Sequence, residues 1–247
     1  MSYDRGATEV LGYILVISLV TVVIALVMTT GISGLESSQQ SEQINNMERG
    51  FDVLSHNIDT MADRDAPSRA TELRIAEGSI NYGETSTINV SHEGMLLGDE
   101  TISTEPIEYD SGTDIKIVYE HGAVIREDGD HSTMLSPPPF MFKEGNVVIQ
   151  GIRTRPLGGS ATEISDPGTV LLRGEYLGTR SYTSDVSPEE NIEIEVVSER
   201  PTAWEQYFSS FDQGEVSRDD NTVTFTVQVD EDTKLYSVQT RTRFTLV

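Results

Sequence analysis

The sequence predicts an α+β protein in which a long N-terminal helix precedes an all-β, antiparallel sandwich-like domain. Three observations predict it. Residues 10–35 carry no charged side chain over 26 positions. The apolar residues Ile44, Met47, Phe51, Leu54, Ile58 and Met61 then recur at steps of three and four. From residue 68 onward the pattern changes to short alternating runs separated by Gly, Asp and Asn.

The uncharged run is long enough for a membrane span, since a bilayer core of roughly 30 Å needs about 20 apolar residues in a helix. Its many β-branched residues are mediocre helix formers in water. In hydrocarbon, however, every backbone group must be bonded within the segment, and a single segment does that only as a helix. A cleaved secretory signal is the competing reading, but it calls for an apolar region of about 7–15 residues and a small-residue cleavage site. The run exceeds that, so a retained helix is expected. Gly31 and Gly34 close the run around Ser33 and mark an expected kink. Beyond them the stripe from Ile44 to Met61 lies on a background of Gln, Asn, Ser and Asp, which predicts that the helix continues with one apolar face. That face is expected to pack on the chain's own β domain, with a seam to another subunit as the alternative. Asp63, Asp65 and Pro67 end the helix. At 1.5 Å per residue, residues 7–62 would form a rod of about 84 Å if unbroken.

Strands are expected at 71–76, 85–91, 114–120, 123–126, 146–155, 169–182, 191–197, 222–229 and 234–245, with hairpin turns at 120–123 and 230–233. In the run 222–229, Val223, Phe225, Val227 and Val229 alternate with Thr and Gln, so one face is buried and the other wet. Three consecutive prolines, 137–139, exclude regular ladder pairing there. Residues 203–211 place Trp204, Tyr207, Phe208 and Phe211 on one side of a short helix, which reads as core cover for the sheet.

The composition narrows the function. Asp and Glu number 41 against 17 Lys and Arg, a net charge of -24, and the lysines are Lys116, Lys143 and Lys234. Nucleic acid is an unexpected partner for such a chain, because phosphate contacts need clustered basic residues. Strong acidity with so little lysine fits a halophile's protein, where salt screens self-repulsion. The absence of cysteine removes disulfides, thiol nucleophiles and thiolate metal sites.

No enzyme, cofactor or metal site is expected. His56, His92, His121 and His131 lack any two-ligand helical spacing, and no nucleophile elbow or phosphate loop is present, Gly158-Gly159 standing alone. The acidic segments 127–130 and 218–221 offer oxygen ligands but not the twelve-residue calcium loop, so both read as solvated turns. Asn89-Val90-Ser91 is an Asn-x-Ser triplet and makes Asn89 a possible N-glycosylation position if the domain is exported.

Arg5-Gly6-Ala7-Thr8-Glu9 followed by an unbroken apolar helix resembles the class III leader of archaeal type IV pilins, and 8–13 in particular is similar to pilin-like membrane proteins of halophilic archaea. The likeness covers about the first 30 residues, with a looser match through the helix extension and 66–72. It implies a leader at 1–6 cut by prepilin peptidase between Gly6 and Ala7, a helix at 7–65 (membrane and filament core 7–34, amphipathic extension 35–65) and a β-rich extracellular domain at 66–247. Arg5 and Glu9 would serve processing and assembly. Glu9 falls at the third mature position, whereas bacterial relatives carry an acidic residue at the fifth. The resemblance further implies a single-pass membrane protein with a cytoplasmic N-terminus, a homo-oligomeric surface filament used for adhesion, and an assembly ATPase and membrane platform protein as partners beside lipid. The alternative is a minor pseudopilin, or a singly anchored extracellular β domain that binds or senses a ligand without polymerising.

Overall fold

In a computed structural model, residues 4–64, 66–98, 101–143 and 145–247 are described. They fall into two compact units, Met1–Asn46 and Met47–Val247. The helix α1, Asp4–Arg64, contributes to both.

In chain order the strands are β1 (Ser68–Ile75), β2 (Ser79–Tyr82), β3 (Ser86–His92), β4 (Met95–Leu96), β5 (Ile102–Thr104), β6 (Ile107–Asp110), β7 (Ile115–Glu120), β8 (Ala123–Asp128) and β9 (His131–Ser136). There follow β10 (Met141–Lys143), β11 (Asn146–Arg153), β12 (Glu163–Ile164), β13 (Gly168–Val186) and β14 (Asn191–Val197). After the helix α2 (Pro201–Ser209) come β15 (Glu215–Asp219), β16 (Thr222–Gln228) and β17 (Thr233–Leu246).

Among the described residues these strands make three sheets. The first has the order β1-β13-β17-β11-β10, the second β12-β2-β6-β7-β8-β9, and the third β15-β16-β14-β3-β4 with β5 also on β3. The long expected strands are present, and the domain is mostly antiparallel. One pairing departs from that pattern: β11 and β17 run parallel, with Asn146 opposite Lys234 and Arg153 opposite Arg241. The expected turn at 120–123 joins β7 to β8. The expected hairpin at 230–233 does not form. Both edges of β16 are taken by β14 and β15, and both edges of β17 by β13 and β11, so 230–232 instead carries the chain from the third sheet to the first.

The main core lies where the three sheets meet. Ile192, Ile194 and Val196 of β14 and Val223, Phe225 and Val227 of β16 face Val118 and Ile125 of the second sheet and Ile149 and Leu235 of the first. Alternation in β16 is as the sequence requires, with Val223, Phe225 and Val227 buried between partly exposed threonines. The helix α2 closes one end: Trp204 and Phe208 are fully buried, and Phe208 stacks on Phe225 at 5.0 Å between ring centres. Phe140, delivered by the proline loop at 137–139, lies 6.1 Å from the Trp204 ring.

The strand β17 changes its buried face midway. Thr233, Leu235, Ser237 and Gln239 are buried in its first half, whereas Thr240, Thr242, Phe244 and Leu246 are buried in its second. The two halves therefore serve opposite faces of the first sheet, and in the second half the odd-numbered residues turn outward.

Candidate functional site: the N-terminal helix and the packed domain

The helix α1 has two chemically different parts. Over Val10–Thr29 it is long and apolar enough to cross a membrane by length and composition. Within this unit every large apolar side chain from Val10 to Met28 is at least half exposed. Two threonine hydroxyls in this stretch are turned back on the helix: Thr21 Oγ1 donates to the Ile17 carbonyl at 2.8 Å and Thr29 Oγ1 to that of Ala25 at 3.0 Å. Such back-bonding satisfies a hydroxyl without water, as an apolar surrounding demands. Arg5, Gly6, Ala7, Glu9, Gly31 and Gly34 fall within the span of α1, but their surroundings, and with them the expected kink, lie outside what is described.

In the second unit the expected stripe is fully covered. Met47, Phe51, Leu54, Ile58 and Met61 are 0–2% exposed; Ile44, in the first unit, is 5% exposed. Polar bonds flank the stripe on both sides. Arg126 of β8 reaches Glu48 at 2.9 Å, Ser136 of β9 donates to Asp52 at 2.9 Å, and Asn57 donates to Thr71 of β1 at 2.9 Å. This part of the helix is thus gripped between the first and second sheets. Gly174 makes room for it: a Cβ there would stand 2.7 Å from the Phe244 ring and 2.9 Å from Met61 Cε.

Sequence reasoning missed a buried ionic network. Arg200, 3% exposed, meets Glu108, Glu120 at 3.4 Å and Glu127 at 3.0 Å. Trp204 Nε1 donates to Glu120 Oε1 at 2.8 Å, and Ser86 Oγ donates to the same oxygen at 3.0 Å. Burial works against the guanidinium's charge, but Glu120, Glu108 and Glu127 together outweigh it and hold its pKa above the ordinary value. The neighbouring His121 is fully buried, and burial lowers its pKa to about 4 despite Glu120 and the Ser86 backbone. It is neutral at pH 7. The network links Glu108, Glu120 and Glu127 of the second sheet to the residue before α2 and, through Ser86, to β3 of the third sheet.

A second group missed in the sequence joins residues 98 positions apart. His92 Nε2 lies 2.9 Å from Glu190 Oε2, and Glu93 brings a third ligand atom within 4.8 Å of both. Glu190 also accepts the Ser187 backbone N–H, which with His92 lowers its pKa. Such a trio could hold a metal ion by its donor types. Its His and Glu already hydrogen-bond to each other.

A family model matches residues 5–245. The chain belongs to the DUF7289 family, a family of unknown function. No curated protein and no solved structure matches it. The matched span of this DUF7289 chain takes in both the apolar part of α1 and the β strands. Within the DUF7289 domain, Asn89 stands in mid-β3, its Nδ2 donating to Glu195 at 2.9 Å across the β3–β14 ladder and its Oδ1 buried. A glycan on Asn89 would have to be attached before that strand pairs.

Proposed function

We propose that this DUF7289 protein is a type IV pilin-like structural subunit, stored in the membrane by residues 10–29 and assembled through the same surface into an archaeal surface filament. One observation carries the reading. An apolar helix exposed on all sides is continuous with an extension whose own apolar stripe is buried in the folded domain. Each large aliphatic side chain left in water forgoes about 1.5–3 kcal/mol relative to burial. The run must therefore be covered, first by lipid and then by helices of other copies. The acidic β domain would form the outer coat, soluble by its charge, and its use would be adhesion. Prepilin peptidase, an assembly ATPase and a platform protein are the partners this requires.

Mass spectrometry of the protein purified from its native membrane tests the reading. An N-terminus at Ala7 is expected, with the chain recovered in sheared surface filaments. An intact leader overturns the pilin route, and a processed chain that stays in the membrane fraction replaces the structural pilin with a resident pseudopilin.

A further inference from the structure

The geometry points to a binding pocket for an organic phosphate or sulfate ester on the outward face of the first sheet, built from Arg153, Arg155, Arg241 and Arg243. This inference is independent of filament assembly. It starts from an oddity of charge. In a chain of net charge -24, four arginines line one pocket of about 310 Å³, together with Pro156, Leu157 and Leu177.

The fold puts them there in two steps. Arg241 and Arg243 are two residues apart on β17 and so project to one side of it, while Arg153 ends β11 and Arg155 follows two residues beyond it. The parallel pairing of β11 with β17 then sets Arg153 directly opposite Arg241. Like charges facing one another across a ladder destabilise a sheet. Arg243 is paired with Glu175 at 2.9 Å, and Arg155 donates to Ser103 Oγ at 3.2 Å. Neither Arg155 nor Arg241 forms an ion pair among the described residues, and the buried Nε of Arg241 has no hydrogen-bond partner there. An anion supplies what Arg155 and Arg241 lack.

The neighbouring strand is shaped to match. A bulge between Tyr176 and Gly178 breaks the register of β13, and Leu177, 48% exposed, sits at the pocket rim. Gly178 lies opposite Arg241 with φ of +130°, and a Cβ there would stand 3.4 Å from Arg241 Nη2. Only glycine takes that conformation without strain. The ligand class follows from the lining. Guanidinium forks bind oxyanions bidentately, and a tetrahedral ester offers enough oxygens for several forks at once. The volume falls at the lower end of the roughly 300–1,000 Å³ that holds organic ligands, and the apolar rim suits the carbon part of an ester better than a bare ion.

The test is calorimetric titration of the full chain in detergent with glycerol 1-phosphate, glucose 6-sulfate and inorganic phosphate at fixed salt. Saturable one-to-one binding of an ester, tighter than inorganic phosphate, is expected, and the two ester arms assign phosphate or sulfate. Arg241→Gln should weaken it at least tenfold with an unchanged melting temperature, and Arg155→Gln should weaken it too. Arg180→Gln, on β13 but outside the pocket, should leave it unchanged. Absence of saturable ester binding, or equal affinity in the folded Arg241→Gln and Arg155→Gln variants, overturns the proposal.

Discussion

Trp204 donates its indole N–H to Glu120 at 2.8 Å, and both side chains are fully buried. The bond ties α2 to β7 and is the point where the aromatic core meets the ionic network. In Trp204→Phe the ring remains but a buried carboxylate loses a donor. An unsatisfied buried polar group costs about 1–3 kcal/mol, more when charged. Chemical denaturation followed by far-UV circular dichroism should show a loss of at least that size.

Removing the cation is worse than removing the donor. Arg200→Met leaves Glu108, Glu120 and Glu127 without their shared partner, and breaking a buried pair from one side costs about 3–5 kcal/mol. Adding Glu108→Gln and Glu120→Gln should recover part of that loss. The single and combined variants form a cycle, and simple additivity would show that the network is not coupled.

The two parts of α1 should respond in opposite ways to the same kind of truncation. Phe51 is fully buried, so Phe51→Ala should lower the stability of the Met47–Val247 unit by about 3–5 kcal/mol. Val20 is 50% exposed, so Val20→Ala should leave that unfolding transition in place. Thermal melts of the two variants in detergent check both.

A half-buried carboxyl and a fully buried histidine give stability a pH dependence of opposite sign. Burial, then Asp63, raises the Asp59 pKa to about 6 from 3.8. The folded state holds that proton longer, so stability falls as pH rises from about 4 to 6. His121, lowered to about 4 from 6.5, stays neutral in the fold, so stability falls as pH drops from about 6.5 to 4. The wild type should show a shallow profile because the two windows overlap. Asp59→Asn should raise the melting temperature at pH 7 by about 2–4 °C, the scale of about 1 kcal/mol after solvent screening. It should also expose a steeper loss on acidification. Melting curves at pH 4.5, 5.5 and 7 decide it, and an unchanged slope in Asp59→Asn would remove the carboxyl from the account.

The periodic features were legible in the sequence because each rests on neighbours in the chain. The stripe from Met47 to Met61, the alternation in β16 and the aromatic side of α2 all follow from local spacing. Strands such as β2, β6 and β15 escaped because four or five residues of mixed polarity carry no period to read. The Arg200 network and the His92–Glu190 pair escaped for a different reason: their members come from segments far apart in sequence. For the arginine pocket a signal was present in the doublets Arg153-x-Arg155 and Arg241-x-Arg243, rare in so acidic a chain. Joining them required knowing that β11 and β17 run parallel, and an expectation of purely antiparallel strands hid that.

The strand β17 stands between β13 and β11, and both precede it in sequence. During synthesis the first sheet therefore lacks its central member until the chain has passed residue 233. Until then β11 and the far half of β13 present open backbone edges, the kind of surface that captures stray strands. The sheet closes only by pairing at long sequence separation, which is slow. A cell making this protein must keep those edges apart from their counterparts on neighbouring nascent chains.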